Sequence, residues 1–158
     1  MKGRRRVFLV TQRSAAPPSA VFELLADGAG WSRWARPLVF RSVWEQEGTP
    51  APGGVGAVRR LGRAPLSTRE EVVEYVPDRR HAYRIRSGLP VRDYLGTVDL
   101  SPVDGGGTEI VWQGSFVALV PGTGAVLATG SRFFITWLAR RLAGAAAATT
   151  DTRPSADA

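Results

Sequence analysis

Residues 93–116 read Asp-Tyr-Leu-Gly-Thr-Val-Asp-Leu-Ser-Pro-Val-Asp-Gly-Gly-Gly-Thr-Glu-Ile-Val-Trp-Gln-Gly-Ser-Phe, and this stretch decides the fold. Over 93–100 the side chains alternate, with Tyr94, Gly96, Val98 and Leu100 apolar or small and Asp93, Thr97 and Asp99 polar. After a turn cluster at 102–107, Ile110, Trp112 and Phe116 share one face opposite Glu109, Val111, Gln113 and Ser115. Successive side chains of a strand point to opposite faces, so this pattern predicts a hairpin with one face on a core and one in water.

Working outward, the same punctuation recurs. Apolar-rich runs at 39–45, 55–61, 68–76 and 81–87 are each closed by glycine or proline clusters. In 81–87, His81, Tyr83 and Ile85 oppose Arg84 and Arg86; in 68–76 the alternation is too irregular to assign faces. The turns are too short for crossover helices, so the strands form an antiparallel meander. Residues 5–13 predict a first strand, stopped by Pro17-Pro18. Ser19 is placed to cap a short helix over 20–26 with Val21, Leu24 and Leu25 on one face. Residues 27–34 form a tight turn carrying Trp31 and Trp34.

The chain closes with a predicted long helix over 124–147. Leu127, Phe134, Leu138 and Leu142 make its seam, flanked by Val126, Gly130 and Trp137, and residues 143–148 extend it on propensity alone. These pieces predict an α+β domain, a curved antiparallel sheet of six to seven strands wrapped around the C-terminal helix. A curled sheet need not meet its helix everywhere, which leaves space for an apolar ligand. Gly96, Gly114 and Gly130 leave room there, or else ease sheet curvature and close packing. One domain is expected over 1–148, with a frayed polar tail over 149–158.

Composition narrows the chemistry. The 158 residues include no cysteine, one histidine (His81) and one lysine (Lys2). Cysteine-based metal sites, thiol nucleophiles, P-loops and Schiff bases are therefore excluded, and no metal or cofactor is expected. Net charge is +7, and every basic residue but Lys2 is arginine. Near the start, Lys2 to Arg6 resembles the charged region of a signal peptide, but Val7 to Val10 is too short an apolar core for one. A soluble cytoplasmic protein, monomer or homodimer, is the expectation.

The order strand, short helix ending in Ala26-Asp27-Gly28, Trp31-x-x-Trp34, six strands and a long helix resembles the START-like, polyketide cyclase/dehydrase and lipid-transport superfamily. Local resemblances are Gly54-Val55-Gly56-Ala57-Val58-Arg59, Glu74-Tyr75-Val76-Pro77 with Tyr83, and Gly105-Gly106-Gly107-Thr108 before Trp112. Residues 88–94 are similar to the cyclase/dehydrase-type subgroup, and the likeness spans about 4–145. It implies the helix-grip fold, with one or two short helices after the first strand. Carriers, cyclases, chaperone activators and receptors share that fold, so it does not select a function.

Trp34, Tyr83, Tyr94, Trp112, Phe116, Phe134 and Trp137 are the candidate ligand-binding aromatics, converging between sheet and helix; each also reads as ordinary core. Tyr83 and Tyr94 stand out because an inward phenol needs a hydrogen-bond partner. Arg59, inward by parity, would polarise a carbonyl or bind a carboxylate, unless Glu70 or Glu71 on the neighbouring strand neutralises it. No Gly-x-Ser-x-Gly elbow accompanies His81, and Glu70-Glu71 cannot act as a dyad because neighbours on a strand face opposite ways. The leading expectation is binding or transport of a small hydrophobic ligand, of lipid, polyketide or isoprenoid type. The alternatives are a cyclase/aromatase enzyme, in which Tyr83, Tyr94 and Arg59 polarise carbonyls, or an arginine-rich surface for nucleic acid, an acidic protein or a membrane. Nucleic acid is the partner least favoured.

Overall fold

The computed structural model describes residues 3–152. Its elements run β1 (Arg5–Ser14), α1 (Pro18–Ala26), a 3-10 turn (Gly28–Gly30), α2 (Trp31–Trp34), β2 (Ser42–Gln46), β3 (Val58–Arg63), β4 (Leu66–Val76), β5 (Arg80–Ser87), β6 (Val91–Pro102), β7 (Thr108–Ala118) and α3 (Gly124–Asp151). The strands make one sheet in the order β1-β7-β6-β5-β4-β3-β2, a meander whose last strand also takes the first as neighbour. Every pairing is antiparallel. The stretch 93–116 forms the β6–β7 pair at the centre of the sheet's long strands, with Tyr94, Val98, Leu100, Ile110, Trp112 and Phe116 all buried.

Several sequence expectations shift. Ser19 does not cap α1: the helix starts at Pro18, whose fixed φ suits the first helical position, and no side chain caps it. The second and third strands start three residues later than expected, at Ser42 and Val58, and residues 50–57 form turns instead. Strand β4 resisted assignment because the register shifts twice, between Arg69 and Glu70 and between Val72 and Glu74. Each shift breaks the period of two, so Glu70 and Val72 are buried while Tyr75, not Glu74, packs on the core. α3 also continues to Asp151, past the expected start of the tail; residues 153–158 lie outside the described residues.

The alanines over 143–148 do more than favour helix. Ala139, Ala143 and Ala146 are buried with Leu138 and Leu142, because small side chains let α3 lie close to the sheet. Two buried hydroxyls fix that end: Ser14 Oγ donates to the Ala143 carbonyl at 2.9 Å, and Thr108 Oγ1 to the Ala16 carbonyl at 2.7 Å. Toward its N-terminus α3 parts from the sheet, and Leu127 and Phe134 are only partly buried.

Candidate functional site

Where α3 parts from the sheet lies a cavity of about 630 Å³, bounded by α3, the inner face of β3–β7 and the segment after α2. Leu127, Phe134 and Leu138 line it from the helix, and Leu61, Ile85 and Phe116 from the sheet. It opens toward the β3–β4 and β5–β6 turns, where Leu66 and Leu89 reach its edge. The wall is almost wholly apolar.

The polar groups gather on the floor. A row of partners crosses four strands there, Phe8–Gly114–Gly96–Tyr83. A Cβ at Gly96 would fall on the Tyr83 ring and one at Gly114 on the Phe8 ring. These glycines are thus covered by aromatic rings rather than opening space; of the three singled out in sequence, only Gly130 borders open room. The arrangement lays Tyr83 flat on the sheet, 6.0 Å between ring centroids from Tyr94, which stacks in turn on Phe116 at 6.2 Å.

Trp112 Nε1 donates to the Tyr83 hydroxyl at 3.1 Å, leaving the Tyr83 proton free to be given. Burial, reinforced by the nearby Glu70 charge, pushes the Tyr83 phenol up to about 12. Burial and then the Tyr83 charge raise Tyr94 well above the usual tyrosine range. Both remain neutral at physiological pH, so they offer O–H donors and no phenolate base.

Arg59 is buried beneath this floor. Its Nε and Nη2 both donate to Glu70 Oε2, at 3.0 and 2.7 Å, and its guanidinium lies 3.6 Å over the Trp31 ring. Glu70, not Glu71, is therefore its partner; Glu71 faces the other way, where Arg84 and Arg86 hold it at 2.6 and 2.7 Å. Glu70 lines the cavity and Arg59 does not. No protein donor among the described residues reaches the second Glu70 oxygen, Oε1.

Of the eight sequence candidates, Tyr83, Tyr94, Trp112, Phe116 and Phe134 stand on the wall. Trp34 packs behind Trp31 with 4.9 Å between rings, and Trp137 lies beside Arg141. Sequence reasoning gave Trp31 and Glu70 no place in the site. Both signals were present: Trp31 in the Trp-x-x-Trp turn and Glu70 as the cross-strand partner of Arg59. His81 is buried off the cavity among Phe22, Tyr75 and Tyr83, with Nδ1 unpartnered.

A curved seven-stranded sheet gripping a long C-terminal helix over an internal cavity defines the helix-grip, START-like class of α+β proteins. The sequence profile of the polyketide cyclase / dehydrase and lipid transport family matches residues 6–150, and the chain belongs to that family. Comparison with curated protein sequences found no match. Among solved structures, the Zhui aromatase/cyclase from Streptomyces sp. R1128 is similar at 21% identity, covering 98% of this chain and 100% of that one, with a TM-score of 0.74. A START superfamily protein from Mycobacterium smegmatis aligns at 12% identity over 90% and 98% of the two chains, TM-score 0.76. Norcoclaurine synthase from Thalictrum flavum, in complex with dopamine and hydroxybenzaldehyde, aligns at 11% identity over 98% and 91%, TM-score 0.74. Likeness at these identities speaks to the fold alone.

Proposed function

We propose that this protein binds, and by opening at one end can carry, a small apolar molecule with a polar group at its inner end. The observation that carries this reading is the cavity itself: about 630 Å³, within the range of about 300–1,000 Å³ usual for ligand sites, apolar on its walls and polar on its floor. Phe134, Phe116, Trp112 and Trp31 supply flat apolar contact. Tyr94 and Tyr83 donate to an oxygen of the ligand, and Glu70 Oε1 accepts from a hydroxyl or ammonium. A saturated hydrocarbon would leave these groups unpaired, which costs about 1–3 kcal/mol for each buried group, so the floor selects against it.

Native mass spectrometry after gentle purification tests this reading. The expected result is a bound small molecule, lost from the Leu127→Trp variant in which the cavity is filled. Absence of any bound species, together with no uptake of the neutral fluorophore N-phenylnaphthylamine, would overturn it.

A second reading, cyclase-type catalysis, draws on the two neutral phenols beside a carboxylate and on the fold shared with the Zhui aromatase/cyclase. Here Tyr94 would polarise a carbonyl while the walls hold the chain folded. Arg59 has no part in it, being committed to Glu70. Turnover of a polyketide-like substrate that survives Tyr94→Phe unchanged would remove Tyr94 from that role.

A further inference from the structure

We infer that the open end of the molecule docks on an anionic lipid bilayer, with apolar rim residues entering the interface and arginines meeting the phosphate headgroups. This rests on the reading of the cavity as an apolar-ligand site, for which the bilayer is the reservoir.

Five residues that line the cavity are also exposed large apolar side chains: Leu38 at 50%, Phe40 at 51%, Leu66 at 86%, Leu89 at 43% and Val126 at 74%. They come from four separate places: the segment after α2, the β3–β4 turn, the β5–β6 turn and the first turn of α3. The strand register puts all four at one end of the sheet, and Leu119 N donates to the Pro90 carbonyl at 3.0 Å, tying the β7–α3 loop to the same end. An apolar rim continuous with an apolar cavity has no reason to face water for solubility's sake.

Charge divides the same way. Segments 3–7, 38–42, 62–67, 87–93 and 117–126 form the open end and carry Arg4, Arg5, Arg6, Arg41, Arg63 and Arg92 against one carboxylate, Asp93. None of these arginines makes an ion pair among the described residues, although Arg5 donates to the Asp93 carbonyl oxygen and to Ser115 Oγ. At the opposite end, segments 47–56, 77–80, 101–107 and 148–152 carry Glu47, Asp78, Asp104 and Asp151 against Arg79 and Arg80. Arginines on the outer sheet face are neutralised: Arg69 by Glu45, Arg80 by Glu74 and Asp99, Arg84 and Arg86 by Glu71. Six of the described arginines that make no ion pair thus sit beside the apolar rim, while Arg36, Arg79, Arg132, Arg140 and Arg141, which also make none, are scattered over other segments. A bilayer offers that combination, hydrocarbon beneath a plane of phosphates; a nucleic acid or an acidic polypeptide offers the charge without an apolar layer.

Co-sedimentation of the intact chain tests this, with vesicles of phosphatidylcholine alone and of an equal mixture with phosphatidylserine. Pelleting is expected with the mixed vesicles, weakening as salt rises. Arg63→Gln with Arg92→Gln should lower partitioning about 30-fold, at roughly 1 kcal/mol for each arginine and 1.4 kcal/mol for each tenfold. Leu66→Ser should lower it about tenfold or more. Arg79→Gln, at the far end, should leave it unchanged. No pelleting, equal pelleting on neutral vesicles, or an Arg79→Gln effect as large as the double variant overturns the inference. So does retention on polyglutamate or duplex DNA without vesicle binding. N-phenylnaphthylamine uptake in vesicle-free buffer reads the cavity separately: uptake without pelleting defeats docking alone, and loss of both defeats the ligand reading as well.

Discussion

The two halves of α3 face the same sheet and behave differently. From Ile135 to Ala146 the helix presents Leu138, Ala139, Leu142, Ala143 and Ala146, all buried, and hydroxyls at Ser14 and Thr108 lock the end. From Gly124 to Phe134 it presents Leu127, Gly130, Ser131 and Phe134 across open space. The contrast is one of side-chain size and spacing. Alanines let the helix lie close to the sheet in one half, while Leu127, Gly130, Ser131 and Phe134 in the other half border open space. The first residue of α3, Gly124, is buried again beside Arg6 and Ala118, so the wedge of space lies between two contacts, and that wedge is the cavity.

The largest effect should come where that wedge ends. Arg59→Leu would leave Glu70 buried without its cation, and urea unfolding should show a loss of about 3–5 kcal/mol. A loss below about 1 kcal/mol would mean that water from the cavity already solvates Glu70, moving the boundary of the open half inward.

Next come paired truncations along the helix. Leu142→Ala should cost about 2–5 kcal/mol because it opens a void in a closed half. Leu127→Ala should cost about 1 kcal/mol or less, since the space beside it is already empty. Equal losses in the two variants would break the comparison.

Acid should then act through the packed region. Burial, and next the Arg59 charge, depress His81 to about 3 from an ordinary 6.5, so it is neutral in the fold. The unfolded chain binds that proton below its ordinary value, so stability is intact above it and falls as pH drops toward the folded-state value. Chemical denaturation at pH 5 should give about 2 kcal/mol less from this residue than at pH 7. His81→Phe, among Phe22, Tyr75 and Tyr83, should remove that slope.

Much of the architecture was legible in the sequence because period-two alternation survives in β5, β6 and β7, whose β5–β6 pairing is unbroken and whose β6–β7 pairing is regular from Leu95 onward. It failed in β4, where two register shifts interrupt the period, and at α1, where Pro18 replaced Ser19 as the start signal. The aromatic wall was legible as a set but not as a surface. Trp34 and Trp112 carry the same chemistry, and only the tertiary path decides which backs a wall and which forms one. Arg59 shows the limit most clearly: its inward parity was readable, but its commitment to Glu70 rather than to a ligand depends on which cross-strand neighbour it meets.

Titration of N-phenylnaphthylamine against the wild-type protein, Leu127→Trp and Ile85→Trp tests the wedge most directly, since the two substitutions enter it from opposite walls. Saturable one-to-one uptake by the wild type, loss of uptake in both variants, and melting temperatures equal to or above the parent's are the expected result. Unfolding of both variants, or uptake that neither of them diminishes, would mean that helix and sheet already meet there.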